Sequence, residues 1–218
     1  MLSVVIPTLQ AEACLGGALA ALDGVDIIVA DGGSTDATHD IAQDAGVRVI
    51  TAPRGRGSQL AAGAKAALGD WLLFVHSDTV LQDGWSGVVT AFMAEPSNIH
   101  RAGVFRLILD DPSNAARRLE RWVAWRTGAL GLPYGDQGLL ISRAFYDALG
   151  GFSEIPLMED VDMVRRIGRA RLATLDGCAL TSAQRYQRGY VRRGMRNLFC
   201  LALYFAGIAP ERIERIYR

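Results

Sequence analysis

The stretch DIIVADGGSTDAT, residues 26–38, decides the fold. Ile27 to Ala30 form a short, continuous apolar run rich in β-branched residues, which reads as a strand buried on both faces. Asp31 closes the run and Gly32-Gly33 turns the chain. Ser34 or Thr35 can cap a helix expected over 35–45, and Asp36 favours its first turn. The same unit recurs on either side. LSVVIP (2–7) precedes a helical pattern over 11–22, RVITA (48–52) one over 58–68, and WLLFV (71–75) one over 85–93. Buried strands alternating with helices predict an α/β fold whose mostly parallel central sheet is flanked by helices. Ligands of such sheets sit beyond the carboxyl ends of the strands.

The residues that follow each strand are therefore the candidates. Pro7 is expected to end the first strand, since it cannot donate to a sheet ladder, leaving Thr8 and Glu12 at the sheet's mouth. A strand end followed by a helix cap looks the same when taken alone. Asp31 ends a buried strand, where a carboxylate is costly without a partner; a base or ribose edge would supply one. Arg54-Gly55-Arg56-Gly57 precedes a helix and suits a phosphate or base contact, although an exposed basic turn reads alike. His76-Ser77-Asp78 emerges from the fourth strand. Asp78 can hold Mg²⁺ or Mn²⁺ completed by diphosphate oxygens and water; His76 is a further ligand or a neutral histidine packed at the strand end.

Beyond residue 98 the alternation is less regular. VFRLIL (104–109) and GLLIS (138–142) read as strands. Residues 113–130, 159–169 and 189–206 read as helices, the first capped by Ser113 or Asp111. In PLMEDVDMVRRIG (156–168) three carboxylates open a helix, and Asp162 and Arg166 are spaced to pair. Asp160 is the candidate general base and Glu159 a candidate acceptor contact, while all three also read as ordinary first-turn acids. Asp136 and Gln137, in a turn before a strand, can bind acceptor hydroxyls. Arg185 and Arg188 can grip a leaving diphosphate or belong to a solvated helix face.

Taken in order, these stretches resemble glycosyltransferase family 2, with its GT-A fold. VVIPTLQAE (4–12) is similar to the family's opening strand and base loop. VADGGSTDAT (29–38) is similar to its D-D-G-S-T-D-G-T segment, with Gly32 in place of the second aspartate. HSD (76–78) sits where the family carries its D-x-D metal motif, His76 replacing the first aspartate. MEDVD (158–162), after GGF (150–152), resembles the E-D motif whose aspartate is the base, here Asp160; QRYQR (184–188) loosely resembles a late arginine-bearing segment. The resemblance implies an inverting glycosyltransferase with a nucleotide-sugar-binding half (1–98) and an acceptor half (99–218) in one domain. Thr8, Glu12, Asp31 and Arg56 would contact the nucleoside, with Pro7 beside them, and Asp78 the metal and diphosphate. It implies a UDP- or GDP-sugar donor, a divalent cofactor (Mn²⁺ or Mg²⁺), and a small-molecule or lipid-linked acceptor. Small size, HSDT (76–79), GDQG (135–138) and the ending PERIERIYR (210–218) further resemble a soluble bacterial subgroup linked to arsenosugar biosynthesis.

Bulk properties set the bounds. The 218 residues suffice for one sizeable core. Lys+Arg and Asp+Glu both total 23, which argues against a nucleic-acid binder. The charge is unevenly spread: residues 1–98 carry 4 basic and 11 acidic groups, residues 99–218 carry 19 and 12. Three scattered cysteines fit neither a disulfide framework nor a zinc site, so a reducing, cytoplasmic setting is expected. The chain opens directly on a strand-like run, and no signal peptide is expected. The longest apolar stretch, Leu198 to Ala209, is 12 residues, short of a membrane span. From Arg185 to Arg218 there are 8 arginines and 2 glutamates, so peripheral contact with the inner face of a membrane through basic C-terminal helices is also open. Two other functions compete: a nucleotidyltransferase, which would be expected to carry basic residues near its N-terminus where residues 1–47 have none, and a nucleotide-sugar binding module whose metal site has decayed.

Overall fold

The computed structural model describes residues 1–22, 24–186 and 189–217, the side chain of Arg185 excepted. In chain order the elements are β1 (Leu2–Thr8), α1 (Leu15–Ala20), β2 (Asp26–Asp31), α2 (Thr38–Asp44), β3 (Arg48–Thr51), α3 (Arg56–Ala66), β4 (Trp71–Phe74), β5 (Thr79–Leu81) and α4 (Trp85–Ala94). They continue with β6 (Ala102–Leu109), α5 (Asn114–Leu130), β7 (Leu139–Ser142), α6 (Arg143–Ala148), α7 (Glu159–Ile167), β8 (Leu172–Thr181), α8 (Tyr190–Phe205) and α9 (Pro210–Tyr217).

The strands form one sheet in the order β3-β2-β1-β4-β7-β6-β8-β5. Six of the eight strands run the same way, and β7 and β5 run against them. Both faces are covered, as the apolar runs require. Along β1 the side chains alternate: Val4 and Ile6 pack with Leu15, Leu19 and Trp85 on one face, and Val5 with Leu60, Phe145 and Met163 on the other. No described helix is long and apolar enough to cross a membrane.

Pro7 does not end β1. The strand continues through Thr8, with Pro7 opposite Ala30 and Thr8 opposite Asp31 on β2. Pairing with β4 stops at Val5 opposite Phe74, so the side of β1 that faces β4 is already free of ladder at Pro7 and its missing N–H costs nothing. Four of these elements escaped the sequence reading: β5, the short α6, the long β8 and the short terminal α9. β8 is mostly half-buried, with Thr174 and Asp176 exposed, where β1, β2 and β4 are almost wholly buried. α9 buries Ile213 against Leu157, Met158 and Val161 at the start of α7, so the α8–α9 pair folds back over the carboxyl rim of the sheet.

Candidate active site

The carboxyl ends of β1, β4 and β8 share one rim, and the candidate residues divide there into those that line a cleft and those that build it. Thr8, Arg54, Arg56, Ser77 and Asp78 line a cleft of about 300 Å³, and Pro7 lies among them. Glu214 and Tyr217, from α9, close it. An adjoining cavity is lined by Asp160, Gly135, Asp136, Tyr134 and Ser182. The two spaces share four walls: Arg56, His76, Leu157 and Tyr217. Asp78 thus lines one of two neighbouring spaces and Asp160 the other, and His76 is among the residues that border both. His76 also borders a third, more apolar space beneath, next to Phe74 and Phe152. Its ring packs so closely on Gly135 that a Cβ there would come 2.4 Å from Nε2.

Asp160 is held at its post by backbone. Oδ2 accepts from the Gly135 N–H at 2.9 Å and Oδ1 from the Val161 N–H at 2.7 Å. Met158, just before α7, takes a left-handed conformation with φ of 69°, which sets how the chain enters the helix. Asp162 is structural. It pairs with Arg166 one turn on, as its spacing predicts, and accepts from Ser153.

Glu159 is fully buried, unlike its neighbour. Arg56 Nε lies 2.9 Å from its Oε1, close but not aligned as a hydrogen bond, and neither carboxylate oxygen has a hydrogen-bond partner among the described residues. Burial pushes the Glu159 carboxyl up to about 7, against the pull of the Arg56 cation. On the Arg56 side, burial opposes the charge, but Glu159, Asp160 and Asp136 outweigh it and raise its pKa further.

Other candidates serve the scaffold. Asp31 is 1% exposed and does not line the cleft. Its carboxylate accepts from the Thr8 hydroxyl (2.9 Å), from the Gly33 and Ser34 N–H groups (2.9 and 2.8 Å) and from the Ser34 hydroxyl (2.6 Å). Burial pushes the Asp31 carboxyl upward, but these hydrogen bonds from Ser34, Thr8 and Gly33 outweigh it and hold it below the usual range. Glu12 accepts from the Ala37 N–H and ties down the start of α2. Gln137 is buried, accepting from Thr127 and donating to the Phe105 carbonyl, while its neighbour Asp136 lines the cavity. Arg188 and the side chain of Arg185 lie outside the described residues. Glu214 and Tyr217 were not singled out from sequence, and neither was Arg193, which donates to the Tyr217 hydroxyl at 2.8 Å.

Among the described residues no three His, Cys, Asp or Glu side chains cluster as a metal cage. His76 and Asp78 offer one imidazole and one carboxylate, a donor set that suits Mn²⁺ or Mg²⁺ only when diphosphate oxygens or water complete it.

A two-sided α/β sheet with a carboxylate-lined cleft at its carboxyl rim has the architecture of nucleotide-diphospho-sugar transferases of the GT-A type. The sequence model described as Glycosyl transferase family 2 matches residues 3–145, and the chain belongs to that family. No curated protein sequence matches the chain. Among solved structures, TarS of S. aureus superposes with a TM-score of 0.64 at 18% identity, covering 99% of this chain and 42% of TarS. Glucosyl-3-phosphoglycerate synthase from Mycobacterium tuberculosis, solved with Mn²⁺ and UDP-glucose, gives a TM-score of 0.58 at 21% identity, over 84% of this chain and 69% of that one. A shorter piece of S. aureus TarS, residues 1–349, solved with UDP-GlcNAc, gives 0.60 at 16%, over 83% and 58%. The chain therefore spans less than half the length of TarS.

Proposed function

We propose that this chain transfers a sugar from a UDP- or GDP-sugar to an acceptor hydroxyl by a single inverting displacement, with Asp160 as general base. The observation that carries this reading is that Asp78 and Asp160 line two neighbouring spaces bordered in common by His76, Arg56, Leu157 and Tyr217. Residues 1–98 bind the donor: Pro7, Thr8, Arg56 and Asp78 line its cleft, and Asp31 and Glu12 act at one remove by fixing the turns behind it. Residues 99–218 bind the acceptor, with Asp136 beside the base. The cysteines, present as thiols, suit a reducing cytoplasm.

Each Asp160 oxygen keeps a lone pair beyond the backbone bond it accepts. An acceptor hydroxyl in the cavity can pass its proton there as its oxygen bonds to the anomeric carbon. The bond from that carbon to the donor's diphosphate breaks in the same step, and the nucleoside diphosphate leaves with the electron pair. The Arg56 cation, fixed by Glu159, faces the charge that grows on the leaving group. His76 and Asp78 would hold Mn²⁺ or Mg²⁺, which supplies further positive charge to the diphosphate.

The test is Asp160→Asn. It should retain the thermal shift caused by a nucleoside diphosphate with Mn²⁺ while losing sugar transfer by at least about a hundredfold. Full turnover by the variant would remove Asp160 from the mechanism.

A further inference from the structure

A groove of about 390 Å³ lies between α5 and α8, and the sugar-transfer reading makes no use of it. Its walls include Trp122, Trp125, Leu130, Met195 and Leu198. All five are exposed, Met195 at 67% and Leu198 at 57%, and the two indole rings stack 4.9 Å apart. So much clustered apolar surface marks a contact site. The groove shares Tyr134, Asp136, Tyr186 and Asn197 with the cavity that holds Asp160.

Arg126 lines the same groove. It is 6% exposed, and its Nε and Nη2 have no hydrogen-bond partner among the described residues. Its guanidinium sits 3.5 Å from the centre of the Tyr134 ring, at the end nearest the acceptor cavity. A cation in that position, with open donors and an apolar channel leading from it, is built to take an anionic head and an apolar tail. Asp136 in the same wall argues against a highly charged head and favours a single anionic group. Around the groove the exposed charges of α5 and α8 are basic: Arg118, Arg121 and Arg192. The one acid of these helices, Glu120, is largely buried against Arg117. A second copy of the chain would set these arginines against one another. An anionic bilayer matches them, with the tryptophans at the headgroup level.

We propose that this face seats on an anionic lipid bilayer and that the groove takes one anionic lipid from it, head on Arg126 and chain along Trp122, Trp125 and Leu198. Only the further step, that such a lipid is the acceptor, rests on the sugar-transfer reading.

The test uses the whole chain and measures binding, so it stands apart from transfer activity. Two probes are used: dodecyl phosphate below its micelle concentration, and vesicles of phosphatidylcholine with or without phosphatidic acid. Dodecyl phosphate should shift tryptophan emission to the blue, because Trp71 and Trp85 are already buried and only Trp122 and Trp125 can respond. Inorganic phosphate and neutral dodecyl maltoside should not. Arg126→Gln should weaken dodecyl phosphate binding about tenfold or more. The chain should float with phosphatidic acid vesicles and not with phosphatidylcholine alone, and Arg118→Glu with Arg121→Glu should cut that partitioning about tenfold. Met195→Glu with Leu198→Glu, at exposed positions that leave folding intact, should abolish both signals while keeping the nucleotide-induced thermal shift. An equal response to dodecyl maltoside, no flotation with phosphatidic acid, or a lipid-free dimer that already buries the tryptophans would each overturn the proposal.

Discussion

Replacing Glu159 by Gln should make the protein more stable at pH 8 and less active. The carboxylate is fully buried, neither oxygen has a hydrogen-bond partner among the described residues, and its one cation, Arg56, approaches off-axis. Such a pair does not recover the cost of desolvating the acid, so the carboxyl rises from 4.5 to about 7. Because the folded-state pKa lies above the unfolded one, the folded chain binds the extra proton. The stability contributed by the neutral acid is fully present below pH 4.5 and is lost as pH climbs through about 7. At roughly 1.4 kcal/mol per pKa unit, ionising Glu159 costs about 3 kcal/mol by pH 8 and under about 1 kcal/mol at pH 5. The substituted amide resembles the neutral acid at every pH. Urea unfolding should therefore find the variant near wild type at pH 5 and about 3 kcal/mol more stable at pH 8. Its kcat/KM should fall roughly tenfold, since Arg56 loses the partner that orients it. A variant less stable than wild type at pH 8 would refute the reasoning: the pair would then be a net support, and the Glu159 pKa would lie below, not above, its ordinary value.

Asp31→Asn should cost about 2–4 kcal/mol in urea unfolding at pH 7, because an amide nitrogen would face donors from Thr8, Gly33 and Ser34. That wild-type carboxyl is held below its ordinary range, so its contribution is present at neutral pH and lost as pH falls through the lowered value; the gap between the two proteins should close in strong acid. Gly135→Ala would drive a methyl to 2.4 Å from His76 Nε2 and push the ring out of the opening. Turnover should fall roughly tenfold to a hundredfold. A smaller loss of thermal stability, about 1–3 kcal/mol, should accompany it.

The first half of the fold was legible because burial on both faces writes itself as apolar runs, which β1, β2 and β4 carry, while the half-buried β3 showed through its β-branched residues. β8 was not, because Asp176-Gly177 interrupts its apolar run and Asp176 points to solvent. α9 was missed for its brevity, though Ile213, Ile216 and Tyr217 stand at helical spacing and Gly207 before Pro210 marks a turn. The site shows the deeper limit. At Asp31 the sequence asks for a partner to a buried carboxylate, and both a ligand and the strand's own turn satisfy that demand. Ser34 three residues on was the available sign that the turn would supply it. At Glu159-Asp160 the limit is angular. Adjacent residues on a helix point about 100° apart, so neighbouring acids meet different surroundings even where, as here, both border one space. The sequence offered both as site residues; which of them turns inward depends on where the helix axis lies against the sheet. Arg56, from the start of α3, meets the buried Glu159 at 2.9 Å and itself lines the cavity that Asp160 borders, so it stands between the two acids.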